Sequence, residues 1–331
     1  MTVPMEYAAW SHAARPILAC GLTLGVLYGL LKSGLAQTIL DRPNQRSLHQ
    51  TPIPRVGGLA VLAGIVAGWL GLDYLHLRVL LLTLSMLALI SFFDDLKNLP
   101  VWQRFLVHFL AAGIGVIGLS DGQAWLLGVG AVLAIVWMTN LFNFMDGSDG
   151  LAGGMALFGF LFLAVRAAWV GDAAFASLNA VVAASALGFL WFNFHPARVF
   201  MGDTGSIPLG FLAGLAGFAG WVSQAWPFWF PVLVFSPFIV DATVTLLRRL
   251  ARGEKVWQAH REHYYQRLIL LGHGHRNTAL LEYALMIAAG LSALWGALQS
   301  TSAQALLLGA WALIYLALAR TIDRRWRAAK N

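Results

Sequence analysis

The sequence predicts an all-α, polytopic transmembrane helical bundle with about 10–11 spans. Only 11% of the 331 residues are charged and 59% are hydrophobic, whereas a soluble domain carries roughly 25% charged residues. The mean hydropathy of +0.70 agrees with this composition. Unbroken apolar runs of about 20 residues have the length of a helix that crosses the ~30 Å hydrocarbon layer. They exclude a membrane β-barrel, whose strands alternate apolar and polar residues.

Eleven apolar runs are candidate spans, and together they make the chain, 1–331, a single membrane domain. The third run is short and the fifth and sixth nearly touch, so ten spans also fit. The first run lacks a basic leader and a small-residue cleavage site, so we expect it to remain as a span. The runs cover residues 15–35, 56–76, 78–93, 104–120, 122–140, 150–170, 173–194, 205–222, 226–247, 278–298 and 303–320.

Lysine and arginine cluster in the odd-numbered connections and in the C-terminal tail, whereas the even-numbered connections hold almost none. Such cations mark the cytoplasmic side, so we expect a periplasmic N-terminus and a cytoplasmic C-terminus. The basic pI of about 9.9 is then explained by anionic membrane lipids, and no nucleic-acid partner is expected. The predicted cytoplasmic loops cover about 36–55, 94–104, 140–150, 195–206 and 248–277.

Adjacent carboxylates, Asp94 and Asp95, end the third run in SFFDDLKNLP. They lie at the negative end of a helix dipole and repel each other. A divalent cation or a cationic partner would relieve both effects. A solvated helix end, in which Lys97 neutralises Asp94 one turn away, explains the pair equally well.

The segment NLFNFMDGSDGLAGG lies between the fifth and sixth runs, and its DGSDG part has the composition of a turn. Asp149 could simply cap the following helix. Capping leaves Asn140, Asn143 and Asp146 unexplained. An oxygen-rich Mg²⁺ site completed by substrate phosphates fits them better than an EF-hand, whose spacing is absent.

The segment VFMGDTGS places Asp203 beside hydroxyl groups at the predicted start of a helix. Backbone N–H groups there could receive a phosphate, and Asp203 could hold a metal that bridges to it. A plain helix cap is the alternative interpretation. The chain contains no G-x-x-x-x-G-K-[ST] pattern, which excludes a P-loop.

Two basic loops complete the pattern. The ninth loop contains AHREHYYQRL, in which one helix face could present His260 and His263 to a diphosphate, with Arg261 adding charge. A zinc site is less attractive because no nearby acid or cysteine completes a set of four ligands at clear spacing. The proline-rich first loop, DRPNQRSLHQTPIPRVGG, suits a nucleotide diphosphate. Its candidate contacts are Arg46, His49 and Arg55.

Taken together, these motifs resemble the polyprenyl-phosphate N-acetylhexosamine-1-phosphate transferase family. That family includes bacterial translocase I and the initiators of O-antigen and enterobacterial common antigen. PRVGG, DDLKN, NLFNFMDGSDGLAGG, VFMGDTGS and the histidine loop occur in family order over about 41–267. The resemblance implies transfer of a sugar 1-phosphate from a UDP-sugar to undecaprenyl phosphate in the bacterial inner membrane. It also implies Mg²⁺ or Mn²⁺ as cofactor and UMP as product.

The resemblance implies a role for each matching residue. Asp203 would bind the metal, assisted by Asp95 and Asp149, and Asp94 or Asp95 would deprotonate or position the lipid phosphate. Phe200 would stack on uracil. The other expected contacts are Asn140, Asn143, Asp146, Gly147 and Ser148 around the nucleotide, and His260, Arg261 and His263 near the diphosphate.

The ninth loop departs from translocase I, which carries three consecutive histidines where this chain reads His260-Arg261-Glu262-His263. The departure favours an N-acetylhexosamine, or a 6-deoxy form such as N-acetylfucosamine, over a muramoyl-pentapeptide. An ion-coupled transporter is a rival, although the acids cluster at one boundary and Asp241 is the candidate deeper in a span. A phosphatidyl-alcohol transferase would need a spaced Asp-Gly-Ala-Arg pattern, which is absent. The sugar, the pathway and a possible homodimer are left open.

Overall fold

A computed structural model describes residues 5–43, 48–120, 125–255 and 260–330 as a bundle of helices with one minimal β-hairpin. The hairpin pairs β1 (Leu40–Asp41) with β2 (Ile53–Pro54) in antiparallel register. The helices are α1 (Met5–Lys32), α2 (Gly57–Trp69), α3 (Leu77–Lys97), α4 (Val101–Leu119), α5 (Trp125–Phe144), α6 (Leu151–Trp169), α7 (Ala173–Asn193), α8 (Asp203–Val222), α9 (Trp229–Val234), α10 (Ser236–Ala251), α11 (Tyr264–Leu268), α12 (Gly274–Gly296) and α13 (Thr301–Ala328).

The helices account for the apolar runs of the sequence. Eight helical segments in the described ranges are long and apolar enough to cross a membrane: α1 from His12, α3, α4, α6, α7, α8, the stretch Tyr264–Gly296, which contains α11 and α12, and α13. Helix α2 and the Gly128–Phe144 part of α5 are apolar but shorter. The predicted multi-pass helical bundle is therefore confirmed. The side of the membrane that each loop faces stays a prediction.

The ninth apolar run, 226–247, is not one continuous span, as the sequence pattern had indicated. It divides at Phe235 into the short helix α9 and the longer helix α10. Pro231 lies within α9 and Pro237 lies at the first turn of α10. Proline lacks an N–H donor and clashes with the preceding turn, so it favours a helix start over a helix interior.

Helix α8 lies at the centre of the bundle and packs on α3 and α5. It is buried along almost its whole length, whereas α13 buries only Trp311 and Asp323. Small residues allow the close contacts of α8, since a Cβ on Gly210 would clash with Phe142. Because the C-terminal end of α3 meets the N-terminal end of α8, the DDLKN and GDTGS motifs reach the same end of the bundle.

The PRVGG segment is hydrogen-bonded to the irregular segment that precedes α8. The Phe200 N–H donates to the Pro54 carbonyl at 2.7 Å, and the Gly57 N–H donates back to the Phe200 carbonyl at 2.9 Å. Gly58 lies directly against Gly205, where a Cβ would collide with the backbone. The first loop is thereby held beside the start of α8.

Candidate active site

Asp95 of α3 caps the N-terminus of α8. Its carboxylate accepts hydrogen bonds from the Thr204 hydroxyl at 2.6 Å, the Thr204 N–H at 2.9 Å and the Asp203 N–H at 3.2 Å. The first N–H groups of a helix lack partners within the helix and favour negative charge. The cap of α8 therefore comes from another helix, and Asp203 occupies the first helical position after Gly202.

Asp203 lies beside this cap with its carboxylate partly open, at 22% exposure. The Asn143 amide donates to Asp203 Oδ1 at 2.9 Å and to Ser206 Oγ at 3.0 Å. Arg104 Nη1 lies 3.6 Å from Asp203 Oδ2. Asp203 is thus oriented by an amide and an arginine while one edge stays accessible.

Asp94 has a different environment from that of its neighbour Asp95. It is 7% exposed and accepts from Arg104 Nη1 at 2.7 Å and from the Leu99 N–H at 2.7 Å. Lys97 instead lies over the Phe93 ring, 5.8 Å from its centroid. The solvated helix end with an Asp94–Lys97 pair is therefore wrong. Asp94 joins the end of α3 to the start of α4.

Asp146 is the third carboxylate of this region. Burial, followed by the negative charge of Asp203, raises the pKa of Asp146 well above its usual range, and Asp95 adds to the effect. Arg55 acts in the opposite direction. Three carboxylates thus share one partly buried space, and such a set of oxygen donors is typical of a hard divalent cation site.

The donor set fits Mg²⁺ in its usual coordination by few protein ligands. Within the described ranges, no group of three or more His, Cys, Asp or Glu side chains is arranged to hold a metal ion. Mg²⁺ commonly takes one or two carboxylates and completes its shell with water and phosphate oxygens. Asp203, together with Asp146, is compatible with that arrangement.

Residues 77–220, from α3 to α8, match the sequence profile of glycosyl transferase family 4. A probable undecaprenyl-phosphate N-acetylglucosaminyl 1-phosphate transferase of Bacillus subtilis (strain 168) is 32% identical over 276 residues, 77% of this chain and 76% of the relative. The chain belongs to glycosyl transferase family 4. The resemblance inferred from the motifs is confirmed.

Two further relatives of this family 4 transferase cover most of its length. A decaprenyl-phosphate N-acetylglucosaminephosphotransferase of Mycobacterium leprae (strain TN) is 29% identical over 325 residues, 81% of each chain. An undecaprenyl-phosphate alpha-N-acetylglucosaminyl 1-phosphate transferase of Escherichia coli (strain K12) is 26% identical over 324 residues, 88% of this chain and 86% of the relative. The likeness therefore extends beyond the α3–α8 match.

The DGSDG turn of this family 4 transferase is held by histidines. Asp149, 6% exposed, accepts from His195 Nδ1 at 2.6 Å and from the Ala197 N–H at 3.2 Å. His275 Nδ1 lies 3.0 Å from Ser148 Oγ. The cap of α6 is Gly150, with φ of 74°, so Asp149 as the helix cap is wrong. The metal role of Asp149 stays a prediction.

Asn140 and Gly147, which belong to the same segment, make different contacts. Asn140 donates to the Val136 carbonyl, one turn earlier in its own helix, at 2.7 Å. Gly147 lies against the Tyr265 hydroxyl, which leaves no room for a Cβ. Tyr265 also donates to the Phe144 carbonyl at 3.3 Å. Gly147 therefore permits close packing of the ninth loop on the turn.

The first loop presents an aromatic and cationic edge. His49 packs edge-on against Phe200, with ring centroids 5.0 Å apart. His49 Nε2 and Arg55 Nε each lie 3.7 Å from the Asp41 carboxylate. These contacts bring three of the expected substrate contacts, His49, Arg55 and Phe200, to one place. Arg46 lies outside the described residues.

Asp241 holds the ninth loop. It accepts from His263 Nδ1 at 3.1 Å, from the Tyr264 N–H at 2.9 Å and from the Tyr265 N–H at 3.0 Å. Helix α11 begins only at Tyr264, so the prediction that His260 and His263 share one helix face is wrong. Their rings nevertheless lie 4.8 Å apart.

His260 and Arg261 are the remaining predicted contacts of the ninth loop. Burial, followed by the charges of His263 and Arg249, lowers the pKa of His260 to about 4, so its imidazole is neutral at neutral pH. Arg261 Nε is buried and finds no hydrogen-bond partner within the described part of the chain. An anionic ligand would supply the missing acceptor.

Five residues of the site escaped the sequence analysis. The sequence could have indicated two of them. Arg104 follows Asp94 across a hairpin of two apolar runs, and Asp323 is the one acid in the basic segment RTIDRRWR. Asp323 accepts from Arg248 Nη1 at 2.6 Å and from Arg267 Nη1 at 2.7 Å. The five are Asp41, Arg104, His195, Thr204 and Asp323.

Proposed function

We propose that this chain transfers an N-acetylhexosamine 1-phosphate from a UDP-sugar to a polyprenyl phosphate, with undecaprenyl phosphate as acceptor and UMP as product. The convergence of the DDLKN and GDTGS motifs at the Asp95–Thr204 contact carries the proposal. The names of the Bacillus, Mycobacterium and Escherichia relatives describe N-acetylglucosamine phosphate transfer to such lipids and support the proposal.

The proposed reaction is a single displacement at phosphorus. An oxygen of the lipid phosphate forms a bond to the β-phosphorus of the UDP-sugar, and the bond from that phosphorus to the bridging oxygen breaks. The bridging oxygen leaves with the α-phosphate as UMP. A phosphate is largely deprotonated at neutral pH, so the acceptor is already nucleophilic, and the protein mainly positions it and stabilises charge.

In this reaction the carboxylate cluster would bind a divalent metal ion as cofactor. Mg²⁺, or Mn²⁺, would be held by Asp203 with Asp146, and when bound it neutralises the charge of the diphosphate oxygens. Arg104 orients Asp203 from 3.6 Å, and Asn143 fixes its second oxygen at 2.9 Å. Asp94 accepts from Arg104 and Leu99, and Asp95 accepts from Thr204 and Asp203. Both carboxylates therefore position the ends of α3, α4 and α8 around Asp203.

A groove on the same helices offers a place for the lipid chain. It has a volume of about 480 Å³, is mostly apolar and is open along one side. Its walls come from α5, α8, α9 and α10, with Met138 and Gly214 among the lining residues. Asn143 and Asp203 lie at the ends of the same two helices, α5 and α8. An acceptor chain in the groove could therefore extend along these helices, with its phosphate towards the carboxylates.

N-acetylglucosamine is the first candidate sugar, since the relatives carry it in their names. A 6-deoxy N-acetylhexosamine, as in initiators of O-antigen or a related surface polysaccharide, is the second. The His260-Arg261-Glu262-His263 sequence of the ninth loop motivates it. The Lys and Arg distribution supports a bacterial inner-membrane location with the site on the cytoplasmic face.

The environment of Asp241 disfavours an ion-coupled transporter. A transporter needs a carboxylate that is free to take up and release its ion. Asp241 instead accepts from Thr245, His263, Tyr264 and Tyr265, and is 5% exposed. These bonds anchor the ninth loop and give Asp241 a positioning role in a transferase.

The test is UMP release by purified protein supplied with undecaprenyl phosphate, Mg²⁺ and a panel of UDP-sugars. Release with one UDP-N-acetylhexosamine, abolished by Asp203→Asn, is the expected result and names the sugar. Asp73→Asn is the matched control, because Asp73 is an exposed acid in the connection between α2 and α3. No release with any UDP-sugar, from protein shown to be folded, would overturn the proposal.

A further inference from the structure

A second groove opens on the outside of the bundle, behind the DGSDG turn. It has a volume of about 610 Å³ and is lined by residues of α6, α7 and α12 and of the segment that follows α7. This volume lies within the roughly 300–1,000 Å³ of ordinary small-molecule sites. The groove is distinct from the proposed acceptor groove, with which it shares no lining residue.

The walls of the groove suit a hydrocarbon chain. Leu187 and Trp191 on α7 are 51% and 73% exposed, and Leu157 of α6 lies beside them. Both α6 and α7 have the length and hydropathy of membrane spans. Their exposed faces therefore meet lipid tails, and the groove is open to the bilayer.

The rim of the groove carries one permanent cation, Arg198, and the described lining contains no acidic side chain. His195 is also a lining residue. Arg198 Nη2 donates to the Trp191 carbonyl at 2.9 Å, and its guanidinium lies 4.7 Å from the Phe192 ring centroid. That hydrogen bond uses one of five guanidinium N–H donors, so the side chain is held in place and can still bind a phosphate.

The groove is in direct contact with the DGSDG turn. Three of its lining residues hold that turn: the Tyr283 hydroxyl donates to the Gly150 carbonyl at 2.6 Å, Phe194 packs on Gly150, and His195 bonds Asp149 at 2.6 Å. A ligand that immobilises these three side chains therefore also restrains Asp149 and Gly150.

We propose that this groove binds one anionic glycerophospholipid of the surrounding membrane and that its occupancy stabilises the DGSDG turn. An acyl chain lies against Leu157, Leu187 and Trp191, and the phosphate binds Arg198. Apolar contact alone does not select a lipid inside a bilayer, since lipid tails are as apolar as leucine. Selection therefore comes from the cationic rim, which prefers an anionic headgroup to a zwitterionic one.

The first test counts phosphatidylglycerol molecules retained by the full-length protein in native mass spectrometry, after purification from nanodiscs with and without that lipid. We expect one retained molecule in the wild type and affinity about fivefold lower in Arg198→Gln, the effect of one cation near an anionic lipid. Leu187→Trp, which fills the groove, should also lower retention. Arg324→Gln and Leu313→Trp on the exposed face of α13 are matched controls.

The second test measures hydrogen exchange of the backbone amides of 146–150 in the same nanodiscs. Phosphatidylglycerol should slow exchange in the wild type and in both controls, but not in Arg198→Gln. Equal retention by all variants, or exchange unaffected by phosphatidylglycerol, overturns the proposal. Displacement of the retained lipid by a polyprenyl phosphate would also overturn it, since the groove would then be an acceptor site. Neither readout needs the transfer reaction.

Discussion

The Asp95 carboxylate lies 2.6 Å from the Thr204 hydroxyl, although the two residues are 109 positions apart in the sequence. The same carboxylate oxygen accepts the Thr204 N–H at 2.9 Å. One side chain of α3 therefore fixes the N-terminus of α8, and with it the position of Asp203. The geometry of the metal-binding carboxylate that we propose depends on a contact between two helices.

Replacing Thr204 with valine should lower activity by loosening this contact. Thr204 is 3% exposed, so the lost hydroxyl leaves a charged acceptor of α3 without one partner, at a cost of about 1.5–3 kcal/mol. Part of that cost should appear as a lower rate of UMP release and part as a lower melting temperature in detergent. Thr204→Ser keeps the hydroxyl and is the control. Equal activity of the valine and serine variants would show that the contact does not position the site.

Substitutions of Asp149 and Asp203 should have different effects, the first on stability and the second on catalysis. Asp149→Ala removes the hydrogen-bond partner of His195 and of the Ala197 N–H in a buried turn, so we expect a lower melting temperature. UMP release should fall only in proportion to the loss of folded protein. Asp203→Asn relieves repulsion among carboxylates, so it should abolish release without lowering the melting temperature. An Asp149→Ala protein with wild-type melting and no activity would instead support the metal role that the motifs suggested.

The sequence predicted which motifs meet, because motifs that follow odd-numbered runs must reach the same membrane boundary. The sequence therefore predicted correctly that Asp95, Asp146 and Asp203 lie close together. It did not predict their hydrogen-bond partners. Nothing local to DDLKN indicates that Asp94 turns to Arg104 while Asp95 turns to α8.

In the ninth loop, the local sequence pattern did not predict where the helix begins. The histidine spacing predicted a helix through 260–263, but the helix begins at Tyr264 because Asp241, 22 positions before His263, takes the Tyr264 and Tyr265 N–H groups. A partner on another helix decides that boundary. The break at Phe235 is different, since Pro231 and Pro237 were visible in the sequence.

Acid should destabilise the folded protein through His260. Burial and then His263 lower its pKa to about 4 in the folded state, against about 6.5 for an unperturbed histidine. Between these values the unfolded chain binds a proton that the folded chain does not, so stability falls as the pH falls from about 6.5 towards 4. Melting temperatures of His260→Gln should fall less steeply over this window. His76→Gln is the control, and parallel curves for wild type and His260→Gln would contradict the assignment.

Asp323 should act on the site from the last helix, at a distance from the carboxylates. It is 8% exposed and binds Arg248 and Arg267, and both arginines pack on Tyr264 at the start of α11. Removing one partner of a buried pair costs about 3–5 kcal/mol. The lower end applies here, because Arg248 is 39% exposed. Asp323→Asn should therefore lower the melting temperature and the turnover number, because the loop that carries His260 and His263 loses one of its anchors. Asp323→Glu keeps the charge and should recover most of both, whereas Arg324→Gln should change neither. Loss of stability with unchanged turnover in Asp323→Asn would show that α13 braces the fold without positioning the ninth loop.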